Sequence, residues 1–256
     1  MPRSYSERSA RREDGFALLT VLWALALLAL LVGHLIAAGR TEARIAANVV
    51  ASARAEAAAD GAVYEAVFRL ADPNGDNWSA DGSMHRISVD DIVVQVHVQS
   101  VAGRINPNIA PAGLLSALLR ACGVEQLRAD AIAVAIAERR RVGTQFQSLA
   151  ELAQVANMTP RLLGRLRPHL SLYQPTDPDP HSADPVVAAA IAAWRGAPVS
   201  AEDGDTAVTD VRIVMIDSAA TLGSARFVRR AVIRIDAVPP HGYAILAWNR
   251  RNENSD

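Results

Sequence analysis

The sequence contains one long apolar run near its N-terminus, and this run limits what the rest of the chain can be. It begins at Phe16 and continues to Ala38 without a charged side chain, and Arg40 follows it. At about 1.5 Å per residue, a helix of this length spans roughly 34 Å, enough to cross a hydrocarbon core of about 30 Å. Residues 16–38 are therefore predicted to form a single transmembrane helix that tethers the following domain.

The sequence around the start of this run distinguishes three kinds of segment. A cleaved secretory signal has an apolar region of roughly 7–15 residues before its cleavage site, and the run here is longer. A twin-arginine export signal is suggested by Arg11 and Arg12, but an acidic pair follows them directly. A pilin-like leader, residues 1–15, is cut between Gly15 and Phe16 and leaves the apolar helix in the mature protein. The basic leader, Gly15 and aromatic Phe16 favour this third interpretation over an ordinary uncleaved anchor.

Charge predicts the orientation of the anchor and the kind of partner. The arginines that precede the apolar run are Arg3, Arg8, Arg11 and Arg12. Positive flanks stay in the cytoplasm, so the N-terminus is predicted to be cytoplasmic and the C-terminal domain to lie outside the membrane. The formal net charge of −1 argues against nucleic acid as the main partner. Cys122 is the single cysteine, so we expect a buried apolar residue, with an exposed thiol as the alternative.

Thr20 occupies a position that matters in pilin-like helices. Most of them carry Glu five residues after the cut, where this chain has Thr20. A carboxylate inside a bilayer is costly and normally marks a pairing function. Its absence suggests a subunit that does not need to dock behind another one, which places it at the tip of a fibre.

The chain after the anchor predicts an α+β fold. Residues 41–70 are rich in Ala, Arg and Glu and contain no Pro, so the helix is expected to continue to about residue 72. Runs 84–89 and 92–98, joined by Asp90-Asp91, predict a β-hairpin. Further helices are predicted at 111–121, 125–141, 148–155, 159–168 and 186–195, and strands at 207–216, 226–236 and 243–249. Strands separated by a helical block predict a long N-terminal helix packed on an antiparallel sheet, with a large all-α insertion.

In this order the segments resemble the minor pseudopilin K family of type II secretion systems, general secretion pathway protein K. The resemblance is carried by residues 15–20, Trp78, GRINPN at 103–108, the helical stretch 146–173, and the strands FVRRAVIRI and YAILAW. Pro107 and Ile109 depart from the family, which more often has Leu and Thr there. The domains expected from it are the leader 1–15, the transmembrane helix 16–38, the first part of a pilin-like domain 39–102, the insertion 103–200 and C-terminal strands 201–256.

The resemblance implies a function. Prepilin peptidase would cut after Gly15 and N-methylate Phe16. The mature protein would sit in the bacterial inner membrane with its domain in the periplasm. There it would cap the pseudopilus together with minor pseudopilins I and J, above the major pseudopilin G, and would help export folded proteins across the outer membrane.

An alternative function comes from residues 104–170, which also resemble paired helix-hairpin-helix units. Such units bind the DNA backbone through hairpin amides at helix N-termini, usually with a Gly-x-Gly hairpin. The hairpins here, 122–125 and 156–159, both lack the paired glycines. The arginines available for a basic patch are Arg139, Arg140, Arg141, Arg161, Arg165 and Arg167. A membrane-anchored DNA receptor is therefore the alternative, and a protein-binding scaffold with solvated arginines, binding no nucleic acid, is favoured.

A calcium site and catalysis are the remaining possibilities. Asp72, Asn74 and Asp76 alternate as in a Ca²⁺ loop, but Asn77 stands where Gly and Ser83 where a bidentate Glu would be expected. These three residues are calcium candidates, and a polar turn is the favoured interpretation. No histidine has a partner at metal or triad spacing, and no serine lies in a nucleophile elbow, so we expect neither an enzyme nor a small-molecule substrate.

Overall fold

The computed structural model describes residues 10–72, 78–141, 143, 145–196, 211–236 and 242–251. The helices are α1 (Ala10–Ala71), α2 (Ala112–Ala121), α3 (Gln126–Arg141), α4 (Pro160–Leu166) and α5 (Pro185–Arg195), with 3₁₀ helices at Leu149–Gln154 and Arg167–His169. The strands are β1 (Asp81–Val89), β2 (Ile92–Ser100), β3 (Val211–Leu222), β4 (Ala225–Asp236) and β5 (Tyr243–Arg250). The chain divides into two compact units between Ala53 and Arg54.

Helix α1 is a single helix of 62 residues, as the absence of proline predicts. It begins at Ala10, inside the predicted leader, rather than at the start of the apolar run. The first unit contains the apolar segment, and the second unit begins within the same helix at Arg54. The predicted continuation of the anchor helix into the folded domain is confirmed.

The five strands form one antiparallel sheet in the order β1-β2-β3-β4-β5. The predicted hairpin is present: Val89 pairs with Ile92, and Asp90 between them has a φ of 53°, which Asp tolerates better than most residues. Strands β2 and β3 are neighbours although residues 101–210 separate them in the chain. Helices α2 to α5 are therefore inserted into the connection between two adjacent strands.

Period-2 alternation gives the sheet an inner face that packs on α1. Val94, Val96 and Val98 of β2 are fully buried on this face. The facing residues of α1 are mostly small, namely Ala55, Ala58, Ala59, Ala62, Val63, Ala66 and Val67. Small side chains let the helix approach the sheet closely. The helix therefore forms a buried core with the sheet although it contributes few large apolar side chains.

An arginine clamp joins α1 to the sheet on this same face. Arg229 of β4 is 7% exposed, and its Nε donates to Asp60 Oδ1 at 2.6 Å while its Nη2 donates to Glu56 Oε1 at 2.9 Å. The guanidinium also lies over Phe227 and Trp248. Burial alone would lower the pKa of Arg229, but the hydrogen bonds to Asp60 and Glu56 outweigh it and raise that pKa.

The inserted helices have a hydrophobic core of their own, built around Leu114, Leu118, Ile132, Phe146 and Ile191. Two predicted elements differ here. Residues 148–155, predicted as a helix, contain a 3₁₀ helix at Leu149–Gln154, and 159–168 divides into α4 and a 3₁₀ turn that contains Pro168. Proline removes a backbone donor, and short stretches of this kind commonly tighten to 3₁₀ geometry. Strand β3 runs on to Leu222, beyond its predicted end at 216, and the predicted start at 207 lies outside the described residues.

Candidate functional site

The apolar segment of α1 has large exposed side chains, as expected of a helix that contacts lipid or other helices. Phe16 is 69% exposed, Trp23 69% and Leu30 72%. The Thr20 hydroxyl donates to the Ala17 carbonyl at 2.8 Å, so its polar hydrogen has a partner within the helix. Among the described residues, α1 is the one helix long and apolar enough to cross a membrane by length and composition.

The predicted processing site lies within this helix. Gly15 and Phe16 follow one another in α1, and the Phe16 side chain is exposed. Among the described residues, no contact buries the Phe16 ring. Cleavage at this bond and methylation of Phe16 stay predictions.

The GRINPN segment, residues 103–108, holds the helical insertion together. Asn106 is buried, and its Nδ2 donates to the Leu172 carbonyl at 3.1 Å and to the Gln174 carbonyl at 2.7 Å. Its side-chain oxygen accepts from the Asn108 amide at 2.9 Å. Asn108 in turn pairs with both backbone groups of Phe146, at 2.8 and 2.9 Å. Through these bonds, the two asparagine side chains link segments that lie far apart in the chain.

Two further contacts fix the same segment. A methyl group on Gly103 would lie 2.1 Å from the Ser182 carbonyl oxygen, so only glycine fits there. Pro107 is accommodated, because the local turn uses the amides of Ile109 and Ala110, which both donate to the Asn106 carbonyl. The Pro107 carbonyl accepts from Arg140 at 3.0 Å. GRINPN is therefore a structural joint, and Pro107 leaves the joint intact.

Several backbone amides of the two hairpins proposed for DNA binding donate to carbonyl groups of the protein itself. In the first hairpin, Gly123 donates to the Arg120 carbonyl and Val124 to the Leu119 carbonyl. In the second, Met158 donates to the Val155 carbonyl, and Thr159 caps α4 by accepting from Leu162. Amides with protein partners are not free to receive a phosphate, so this arrangement gives the DNA-receptor alternative no support.

Several arginines of the predicted basic patch are also engaged. Arg139 donates to Gln154 at 3.1 Å and lies over the Phe146 ring. Arg140 holds the Pro107 carbonyl, and Arg141 pairs with Glu138 at 2.5 Å. These contacts stabilise the insertion locally, so Arg139 and Arg140 are not the solvated side chains that the favoured interpretation expected.

The calcium candidates fall partly outside the described residues. The Asp72 amide donates to the Phe68 carbonyl at the end of α1, whereas Asn74 and Asp76 are not among the described residues. In the part of the chain that the structure describes, no group of three or more His, Cys, Asp or Glu could hold a metal ion. Calcium binding at Asp72, Asn74 and Asp76 stays a prediction.

His169 and Cys122 are two further titratable residues of the insertion. His169 Nδ1 lies 2.7 Å from Asp184 Oδ2, while Asp184 Oδ1 caps α5 by accepting from the amides of Val186 and Val187. Cys122 is a free, half-buried cysteine, and burial raises the pKa of its thiol, which disfavours the reactive thiolate. Neither arrangement presents an activated nucleophile.

Comparison with solved structures shows which fold this chain has. The chain has the pseudopilin-like α+β fold, in which a long N-terminal helix leads into an antiparallel sheet with further helices. A chain in the crystal structure of the GspK-GspI-GspJ complex, from the type 2 secretion system of enterotoxigenic Escherichia coli, superposes with a TM-score of 0.55 at 13% sequence identity. The superposition covers 84% of this chain and 99% of that one. No family model and no curated protein matches the sequence.

Sequence reasoning missed three functional groups of residues. Gly103 and the two asparagines were noticed as part of a motif, but not as a joint. Arg229 could have been found, because it stands among apolar residues at a position of β4 that alternation assigns to the inner face. The arginines that line a cleft between the insertion and the sheet gave no signal as a group, since they come from separate segments, although Arg167 was named for a basic patch.

Proposed function

We propose that this chain is a minor pseudopilin of a type II secretion system, located at the tip of the periplasmic pseudopilus. In this role it caps the fibre and helps export folded proteins across the outer membrane. The observation that carries the proposal is α1, one continuous helix that begins with an exposed apolar segment and ends packed on an antiparallel sheet of pseudopilin-like fold. Such a helix can first hold the protein in the inner membrane and then pack against neighbouring helices in a fibre.

Two features support the tip position. Thr20 replaces the carboxylate that would pair with a neighbouring subunit, and its hydroxyl is satisfied by its own helix. Among the described residues, the insertion adds four α-helices and two 3₁₀ helices with a core of their own, between β2 and β3. Such bulk would hinder the addition of another subunit above this one, so growth would stop here.

The proposed partners follow from the same role. The complex that contains the similar chain also contains GspI and GspJ, which supports association with minor pseudopilins I and J. The major pseudopilin G would lie below, and prepilin peptidase would process the leader. Small residues at Ala24, Ala26, Ala29 and Gly33 would let neighbouring helices approach closely.

The test is the mass and N-terminal sequence of the protein extracted from membranes with and without its peptidase. We expect a mature terminus at N-methylated Phe16, which disappears when the peptidase is absent. Gly15→Ala should remain uncleaved and should not assemble. Gly33→Ala is the matched control, because an added methyl there meets nothing within 4 Å, and it should be processed normally.

Two outcomes would contradict the proposal. Normal processing of G15A would remove the leader interpretation. An intact Met1 terminus in both strains would leave a simple anchored domain, and salt-dependent DNA binding would then be the measurement for the alternative function.

A further inference from the structure

A cleft lies between the helical insertion and the face of the sheet opposite α1. Its volume is about 800 Å³, within the range of about 300–1,000 Å³ typical of ligand sites. The sheet contributes residues such as Gln99 and Asp217, which alternate with the buried valines and isoleucines of the inner face. The insertion contributes residues such as Leu149 and Tyr173. The cleft belongs to the second unit and is distinct from the anchor and from the joint at Asn106.

The cleft has an excess of positive charge. Arg104, Arg167, Arg230 and Arg251 line it, and Asp217 is the one acidic side chain among its described lining residues. Asp217 is 13% exposed and accepts two hydrogen bonds from Arg230, each at 2.7 Å, and one from Arg251 at 3.2 Å. This carboxylate is therefore already shared by two guanidinium groups.

Arg104 also lines the cleft, and its direct hydrogen-bond partners are neutral. Its Nη2 donates to Gln99 Oε1 at 2.5 Å, and its Nη1 lies 3.8 Å from Met215 Sδ. Within the described part of the chain it forms no salt bridge. Burial lowers the pKa of Arg104 and the neighbouring Arg230 lowers it further, and together they outweigh the charges of Asp217 and Asp184, which raise it. A half-buried guanidinium with neutral partners favours the arrival of an anion.

We propose that this cleft binds an extended acidic segment of another protein, with an Asp or Glu carboxylate received by Arg104 beside Arg230. A guanidinium fork matches a carboxylate in two parallel hydrogen bonds. The cleft also has apolar lining from Val101, Met215 and Val232, which suits the aliphatic side chains that flank a carboxylate in a peptide. The sugar-phosphate backbone of a nucleic acid has no aliphatic side chains to place against this apolar lining. The inference stands independently of the proposed function.

The test uses the full chain in detergent micelles and a fluorescein-labelled peptide of alternating Glu and Val. The matched peptide has Gln in place of every Glu. Fluorescence anisotropy should show binding of the Glu peptide that weakens as salt is added, and an affinity at least about tenfold lower for the Gln peptide. Arg104→Gln should lower the affinity for the Glu peptide by at least about tenfold. Arg120→Gln, at an exposed position near the end of α2 and outside the cleft, should leave it unchanged.

A second readout separates binding from folding. Since the partners of Arg104 are neutral, R104Q should melt at the same temperature as the wild type or higher, although it binds the peptide poorly. Arg104→Lys keeps the charge and loses the fork, so it should fold and bind with intermediate affinity. The proposal is overturned if the two peptides bind equally, or if R104Q and R104K both bind like the wild type. A duplex DNA probe that binds in an Arg104-dependent way while the Glu peptide does not would assign the cleft to nucleic acid instead.

Discussion

At the scale of single residues, the GRINPN joint within the insertion depends on Asn106 and Gly103. Asn106 offers two donors and one acceptor, and the fold uses both kinds of group. Replacing it with an apolar residue would leave the Leu172 and Gln174 carbonyls without this donor. Gly103 is required for a different reason, namely the close approach of the Ser182 carbonyl.

Gly103→Ala should destabilise the protein by about 2–4 kcal/mol, because the added methyl group lies 2.1 Å from a backbone oxygen that cannot move alone. Gly164→Ala is the matched control in α4, where a methyl group meets nothing within 4 Å, and it should stabilise by about 0.5–1 kcal/mol through helix propensity. Chemical denaturation of both variants measures the difference. Equal stability of G103A and the wild type would refute the role of this contact.

At the scale of elements, α1 and the sheet are joined by a core of small residues and by polar clamps. Besides Arg229, the buried Ser218 hydroxyl donates to the Ala59 carbonyl at 2.8 Å, and Arg212 donates to the Leu70 carbonyl at 2.7 Å. These bonds fix the rotation and register of a helix whose alanines alone would permit sliding. The second half of α1 is thereby held to β3 and β4.

Arg229→Ala should lower the free energy of unfolding by about 2–3 kcal/mol, since it leaves Asp60 and Glu56 without their shared partner and removes the ring contacts. Arg54→Ala is the comparison, because Arg54 also links α1 to the sheet through Asp91, with side chains 50% and 65% exposed. Its loss should cost less than about 1 kcal/mol. Thermal melts of both variants measure the two losses of stability. Similar losses would argue against burial as the reason that Arg229 contributes more than Arg54.

At the scale of the whole molecule, one helix runs from an exposed apolar segment into a folded domain. Its first part exposes apolar side chains, and its second part packs on the sheet. The change of role along α1 requires no break in the backbone, because it is a change in side chains only. Thr20 lies in the apolar part, where a charge would alter membrane residence.

Thr20→Glu should weaken retention of the unprocessed chain in membranes, because a carboxylate costs up to about 3 kcal/mol at the centre of a bilayer. Thr20→Val, which removes only the hydroxyl that bonds to Ala17, should be retained like the wild type. The measurement is the fraction that resists alkaline extraction from membranes. If T20E is retained as fully as T20V, residue 20 does not experience the hydrocarbon core.

Local pattern was sufficient for many of the elements. The apolar run, the hairpin at Asp90-Asp91 and the helix cap at Thr159 follow from periodicity, turn residues and caps, which act over a few residues, whereas α5 begins at Pro185, one residue before its predicted start. The 3₁₀ segment at Leu149–Gln154 was predicted only as a helix, since its hydrogen-bond pattern is set by packing. The cleft and the joint could not be predicted, because their parts lie up to 150 residues apart and no local signal links them.

The α+β class, the anchor-like helix and the order of the strands along the chain could be predicted from the sequence, because each depends on the spacing of apolar residues. The three-dimensional arrangement, and not local pattern, makes GRINPN a joint, gives several hairpin amides acceptors within the protein, and brings Arg104 into a cleft where its direct partners are neutral. These outcomes depend on which segments meet in space. The meeting is governed by the pairing of β2 with β3 across the insertion, which no local pattern specifies.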